Sequence, residues 1–161
     1  MVAKPRLEGS LKGFGMFRFF NEAWMRQSGD HQAAWKRYLA YVTDENNPLP
    51  ASSKEFVKEE VNLHDCLIEE AVIGQELKIK LLGEDIGILL SYGNYYLSHK
   101  DKIVLNRVRT DNRYTVAYDE FVEDDGDFFH QFSFFILDGL DGELRILFEH
   151  FDFSMFRVES T

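Results

Sequence analysis

The chain has 161 residues, 45% of them hydrophobic and 15% aromatic, enough to bury a real core as one domain. A formal net charge of −10 argues against nucleic-acid and anionic-membrane surfaces and in favour of basic partners. No apolar run approaches the ~20 residues that cross a bilayer, the N-terminus lacks the order of a secretory signal, and the single Cys66 forms no internal disulfide, so a cytoplasmic protein is expected.

The charge is unevenly placed. Residues 1 to 60 hold 9 Lys/Arg against 8 Asp/Glu, whereas residues 61 to 161 hold 9 against 20. From Arg113 to Thr161 there are 12 acidic residues and 3 basic ones, so the acidity belongs to the later part of the chain.

In chain order, residues 1 to 15 carry Gly9, Gly13 and Gly15 without sustained periodicity and read as a poorly ordered extension, with Met16 as an alternative start and residues 16 to 161 as a single domain. Phe17, Phe20 and Trp24 follow helical spacing up to Gly29. Asp30 suits the cap of a second helix, in which Trp35, Tyr38, Leu39 and Val42 share a face before Asn46-Asn47-Pro48. Ser52 and Glu55 have the spacing of a capping box for a short third helix over Ser53 to Glu60.

After Val61 the period changes to two. Asn62 to Ile73 and Leu77 to Leu81 read as an antiparallel hairpin turning at Gly74-Gln75, and Ile86 to Leu97 as a strand interrupted by Gly87 and Gly93. Ile103 to Arg109 and Arg113 to Val122 read as two further strands joined at Thr110-Asp111-Asn112.

The stretch Phe128 to Met155 reads as a terminal hairpin around Asp138-Gly139-Leu140-Asp141-Gly142-Glu143. Phe128, His130, Phe132, Phe134 and Ile136 form one face of its first strand. In the partner strand the phase slips between Phe148 and Phe151, which a β-bulge near Glu149-His150 restores. The fold class is therefore α+β: two to three N-terminal helices packed on a mostly antiparallel sheet of about six strands.

No segment carries a specific catalytic, cofactor or metal motif, and no cofactor is expected. Leu63-His64-Asp65-Cys66 places an imidazole, a carboxylate and a thiol together, but in a strand His64 and Cys66 share a side that Asp65 does not. Asp119 to Asp127 packs six carboxylates into nine residues without the ligand spacing of a calcium loop, so it reads as a solvated hairpin turn. His130 and His150 can meet across the expected terminal hairpin, and with Asp152 or Asp119 nearby they would form an acid–base or metal candidate, against the plainer reading of His130 as a hydrogen-bonded sheet residue.

Four landmarks occur in order: Met16-Phe17-Arg18-Phe19-Phe20-Asn21-Glu22-Ala23-Trp24, Val61-Asn62-Leu63-His64-Asp65, Tyr118-Asp119-Glu120-Phe121 and Gly142-Glu143-Leu144-Arg145-Ile146-Leu147-Phe148-Glu149. Together they resemble an uncharacterised bacterial domain-of-unknown-function family, across most of residues 16 to 156. The resemblance implies an aromatic N-terminal helix, a Leu-His-Asp strand and a closing acidic hairpin, and carries over no catalytic residue. The Leu-His-Asp strand entry is also similar to one in small β-rich bacterial proteins suspected of toxin immunity.

Two functions are weighed. One is a non-enzymatic protein-binding or regulatory factor, immunity-like, whose Glu123, Asp124, Asp125 and Asp127 engage a basic protein partner. The other is a small hydrolase or metal-dependent enzyme using His64, Asp65, Asp119, Glu120 and His130, which requires those side chains to converge on one cavity.

Overall fold

A computed structural model describes residues 17–20, 31–136 and 139–158, apart from the side chains of His31 and Leu140. The expected extension over residues 1 to 15, the start at Met16, Trp24 and the Asp30 cap lie outside the described residues. Residues 18–20 form a bend where the spacing of Phe17, Phe20 and Trp24 predicts the start of a helix, and the remainder of that helix lies outside the described residues.

Among the described residues, three helices and seven strands follow: α1 (His31–Thr43), α2 (Ala51–Lys58), β1 (Leu67–Ile73), β2 (Leu77–Leu82), β3 (Ile86–Gly93), α3 (His99–Thr110), β4 (Tyr114–Asp124), β5 (Asp127–Ile136), β6 (Gly139–Phe148) and β7 (His150–Arg157). The class is α+β, but the strands divide into two antiparallel sheets, ordered β1-β2-β3-β7 and β4-β5-β6, instead of one. Nor are all the helices N-terminal, because α3 stands between β3 and β4 and packs on β1 and β6.

Alternation builds the first sheet. Leu77, Ile79 and Leu81 are completely buried while Lys78 points outward, and Ile88, Leu90 and Tyr92 supply the matching inward face of β3. In the second sheet Phe132, Phe134, Leu144, Ile146 and Phe148 turn toward the same core, so the inner faces of both sheets form one contiguous apolar cluster.

The phase slip after Phe148 has a different origin from a bulge. β6 pairs with β5 from Phe128↔Phe148 to Ile136↔Gly139, whereas β7 pairs with β3 from Ile86↔Arg157 to Gly93↔His150. Glu149 is the corner at which the chain leaves one sheet for the other. The odd step re-aims Phe151 inward from the first sheet, where it lies 4.9 Å from Phe121 and 5.3 Å from Tyr92 by ring centroid.

Residues 103 to 109 are helical, not a strand. Val104, Leu105 and Val108 are buried and Ile103 is exposed, a spacing that fits 3.6 residues per turn. Ser98 starts this helix: its Oγ accepts from Asp101 N and donates to Asp101 Oδ2, and Arg107 and Arg109 lie in the last turn, where they suit the helix dipole. The box expected at Ser52 and Glu55 does not form. Helix α2 begins after Pro50 without a side-chain cap, and Ser52 Oγ donates to Phe151 O instead, tying the helix to β7.

Candidate functional site

A hydrogen-bonded chain of three side chains joins the two sheets. Tyr92 comes from β3, His130 from β5 and Asp119 from β4; Tyr92 Oη is 2.6 Å from His130 Nδ1, and His130 Nε2 is 2.8 Å from Asp119 Oδ2. Tyr92 and His130 are fully buried. Burial pushes the His130 pKa down, more strongly than the Asp119 carboxylate raises it, so the ring is neutral. A neutral ring has one donor and one acceptor, and both are used: Tyr92 O–H donates to Nδ1, and Nε2–H donates to Asp119. Phe121 stacks on the ring at 3.8 Å and 17°.

Asp119 reaches the inner face because of an irregularity in β4. The register with β5 shifts between Val116 and Tyr118, after which Asp119 is opposite Phe132 and Phe121 opposite His130. The Asp119 side chain keeps 15% of its surface exposed. That surface belongs to a cavity of about 520 Å³ walled by Phe20, Trp35, Tyr118 and Val61, with Asn62, His64 and Glu60 around it.

The segment before β1 forms the other side of this cavity, and it is not the strand that the Leu-His-Asp pattern predicts. Asp65 has φ 67° and Glu60 has φ 54°, so the chain between α2 and β1 is a turned strap. It runs along the free edge of β4: Asp65 N donates to Val116 O and Val116 N donates to Cys66 O. His64 Nδ1 donates to Ala117 O at 2.7 Å, which fixes the imidazole against Tyr118 and Phe135. Asp65 Oδ1 lies 3.5 Å from His64 Nε2 and is largely exposed. Cys66 is buried, and desolvation first, then the charges of Asp119 and Asp65, push its thiol up to about 11. Such a thiol has almost no thiolate at neutral pH.

Glu120 faces the opposite side of the sheet. Its carboxylate accepts N–H bonds from Arg18, from Phe19 at 3.1 Å and more weakly from Phe20, and so holds residues 18–20 against β4. Burial raises its pKa to about 7 despite these three donors. The rest of the β4 edge is closed by α1, because Phe121 N donates to Tyr38 Oη and Glu123 N donates to Tyr41 Oη, each at 2.7 Å.

The five candidate residues thus divide. His64 and Asp119 share a cavity and His130 stands directly behind Asp119, while Asp65 lies on the exposed side of the strap and Glu120 on the other face of the sheet. His150 is exposed on β7, paired with Gly93, and does not meet His130, since β7 belongs to the other sheet. Tyr92 was not visible as a partner for His130, because nothing in a local sequence pattern states that β3 and β5 face each other.

Glu123, Asp124, Asp125 and Asp127 surround a two-residue turn at the tip of the β4–β5 hairpin. Asp125 and Gly126 both have positive φ, 52° and 85°, the conformation of a type I′ Asp-Gly turn. Glu123 Oε1 accepts from Gly126 N. Asp124 and Asp127 act on Arg145, whose guanidinium lies 3.6 Å above the Phe129 ring and whose pKa falls to about 10 by desolvation, against the support of Asp124, Asp101 and Asp127. Part of the acidic run therefore balances a half-buried arginine, while Asp125 is exposed in the turn.

Comparison with family models, with curated proteins and with solved structures finds no match.

Proposed function

We propose that the protein is a non-enzymatic binding factor, of the regulatory or immunity-like kind, that captures a basic protein through its acidic surface. The observation that carries this reading is the placement of carboxylates where the fold opens: among the described residues, no Lys or Arg lines the cavity at Asp119 or the adjoining one at Glu84 and Asp85, in a chain with 28 acidic and 18 basic residues. The exposed Asp-Gly turn of the β4–β5 hairpin adds to the same field. Fields of this kind speed encounter and select partners by charge.

The groups suited to chemistry are committed to structure. His130 has both nitrogens bonded inside the core, Glu120 binds the backbone of residues 18–20, and the Cys66 thiol is held protonated. Asp119 is the exception, and what it offers to the cavity is charge. The test is affinity capture from an extract of the source cell, with the protein immobilised, at low and high salt: a basic protein retained at low salt and released at high salt supports the reading, and retention indifferent to salt contradicts it.

A further inference from the structure

We propose that the strap between α2 and β1 is the floor of a groove for an extended segment of a basic protein, and that an arginine side chain of that segment enters the chamber at Asp119. The proposal rests on the binding reading above and names its anchor.

Two cavities lie on either side of this strap. Glu60, Val61, Asn62 and His64 line both, so the two are halves of one groove. The first half, about 520 Å³, has Phe20, Trp35 and Tyr118 as aromatic walls and Asp119 and Glu60 as carboxylates. The second, about 430 Å³, combines Glu59, Glu84 and Asp85 with the apolar Ile86, Ile88 and Met155, of which Ile86 and Met155 are about half exposed. Among the described residues, five carboxylates and no cationic side chain line the groove.

Aromatic walls with carboxylates are the surroundings that a guanidinium uses best: it is planar, weakly hydrated, stacks on rings and donates paired hydrogen bonds. Asp119 is pre-organised for this role, since His130 Nε2–H holds Oδ2 from behind and Tyr92 holds His130 in turn. His64 is likewise fixed by Ala117 O. A lone small cation would use the first chamber only. The continuity with the second half, with its apolar patch and three further carboxylates, argues for a polypeptide carrying an arginine next to an apolar residue.

The experiment titrates the full chain with the peptide acetyl-Ala-Leu-Arg-Leu-Ala-amide and with its citrulline counterpart, which keeps the shape and loses the charge, by calorimetry and tryptophan fluorescence. The arginine peptide should bind, and the citrulline peptide should bind about tenfold more weakly or less. Glu60→Gln changes an exposed side chain and leaves the fold intact, and Trp35→Leu removes a wall; each should weaken the arginine peptide by about fivefold or more, whereas Glu70→Gln, an exposed β1 carboxylate outside both cavity linings, should leave it unchanged. Equal binding by wild type and Glu60→Gln, or no preference for arginine over citrulline, overturns the chamber. In that event persistent salt-sensitive capture of a basic protein would leave the binding reading standing, and loss of that capture would remove both.

Discussion

Replacing Tyr92 by Phe removes one oxygen atom from the point where the two sheets meet. The ring keeps its place against Phe148 and Phe151, at 5.7 and 5.3 Å, so almost no volume is lost. What is lost is the 2.6 Å bond to His130 Nδ1, in a region where both residues are fully buried. An acceptor left unpaired in such a place costs about 1–3 kcal/mol. The cost should also depend on pH. Burial holds the folded His130 pKa below the ordinary 6.5, so the unfolded chain binds the extra proton first, and this group's contribution falls as pH drops below about 6.5 and is complete above it. Without the Tyr92 donor, Nδ1 is freer to take a proton, the folded pKa rises, and the penalty of the substitution shrinks on the acid side. Urea unfolding at pH 8 and at pH 5.5 measures both effects. A loss below about 0.5 kcal/mol at pH 8, or a loss that grows toward acid, would refute the account of His130 as a neutral, doubly bonded ring.

Glu120 should give the opposite pH slope. Its folded pKa of about 7 lies above the ordinary 4.5, so its contribution is complete below pH 4.5 and is lost as pH rises through about 7; the shift corresponds to on the order of 3 kcal/mol, and Glu120→Gln should lose correspondingly less stability between pH 4.5 and 8, with an unchanged slope counting against the burial argument. The Cys66 thiol, raised to about 11, should react with a thiol reagent at pH 8 only as fast as the protein opens, and fast labelling of the native chain would contradict its burial. At the hairpin tip, Asp125→Asn should leave the melting temperature within about 1–2 °C, while joint Asp124→Asn and Asp127→Asn should lower stability by about 1 kcal/mol because Arg145 loses its support, a difference that thermal unfolding resolves.

How far the sequence reached depended on the range of the signal. Strands with strict alternation, such as Leu77, Ile79 and Leu81, were legible because the pattern is local and one face is buried. So was the inward face of β5, down to His130 among its phenylalanines. Helix α3 was missed because Ile103 extends the apolar run Val104, Leu105 and Val108 into something strand-like, and the capping pair Ser98 and Asp101, which was present in the sequence, outweighs it. The division into two sheets was illegible for a different reason: one corner residue, Glu149, decides that β7 pairs with β3 and not with β5, and the apolar content of either partner is the same.

The candidate site shows the same limit. His64, Asp119 and His130 could be picked as candidates from residue type, but that the first two share a cavity with the third behind them, and that Asp65 and Glu120 do not join them, follows from a left-handed turn at Asp65 and from the irregular register before Asp119. The free edge of β4 gathers the strap, the tyrosines of α1 and residues 18–20, all distant in sequence. Its role as the organising line of the site is a tertiary property, with no local trace beyond the short motif Tyr118-Asp119-Glu120-Phe121.

The central claim is that acidic surface, and not chemistry, is what this protein offers. It is tested most directly by the salt dependence of partner capture: immobilised wild-type protein is exposed to extract of the source cell across a range in which the Debye length falls from about 30 Å to about 3 Å, and the retained proteins are identified. A basic protein held at low salt and released as screening rises is the predicted result. A partner retained equally throughout, or one that is itself acidic, would contradict it.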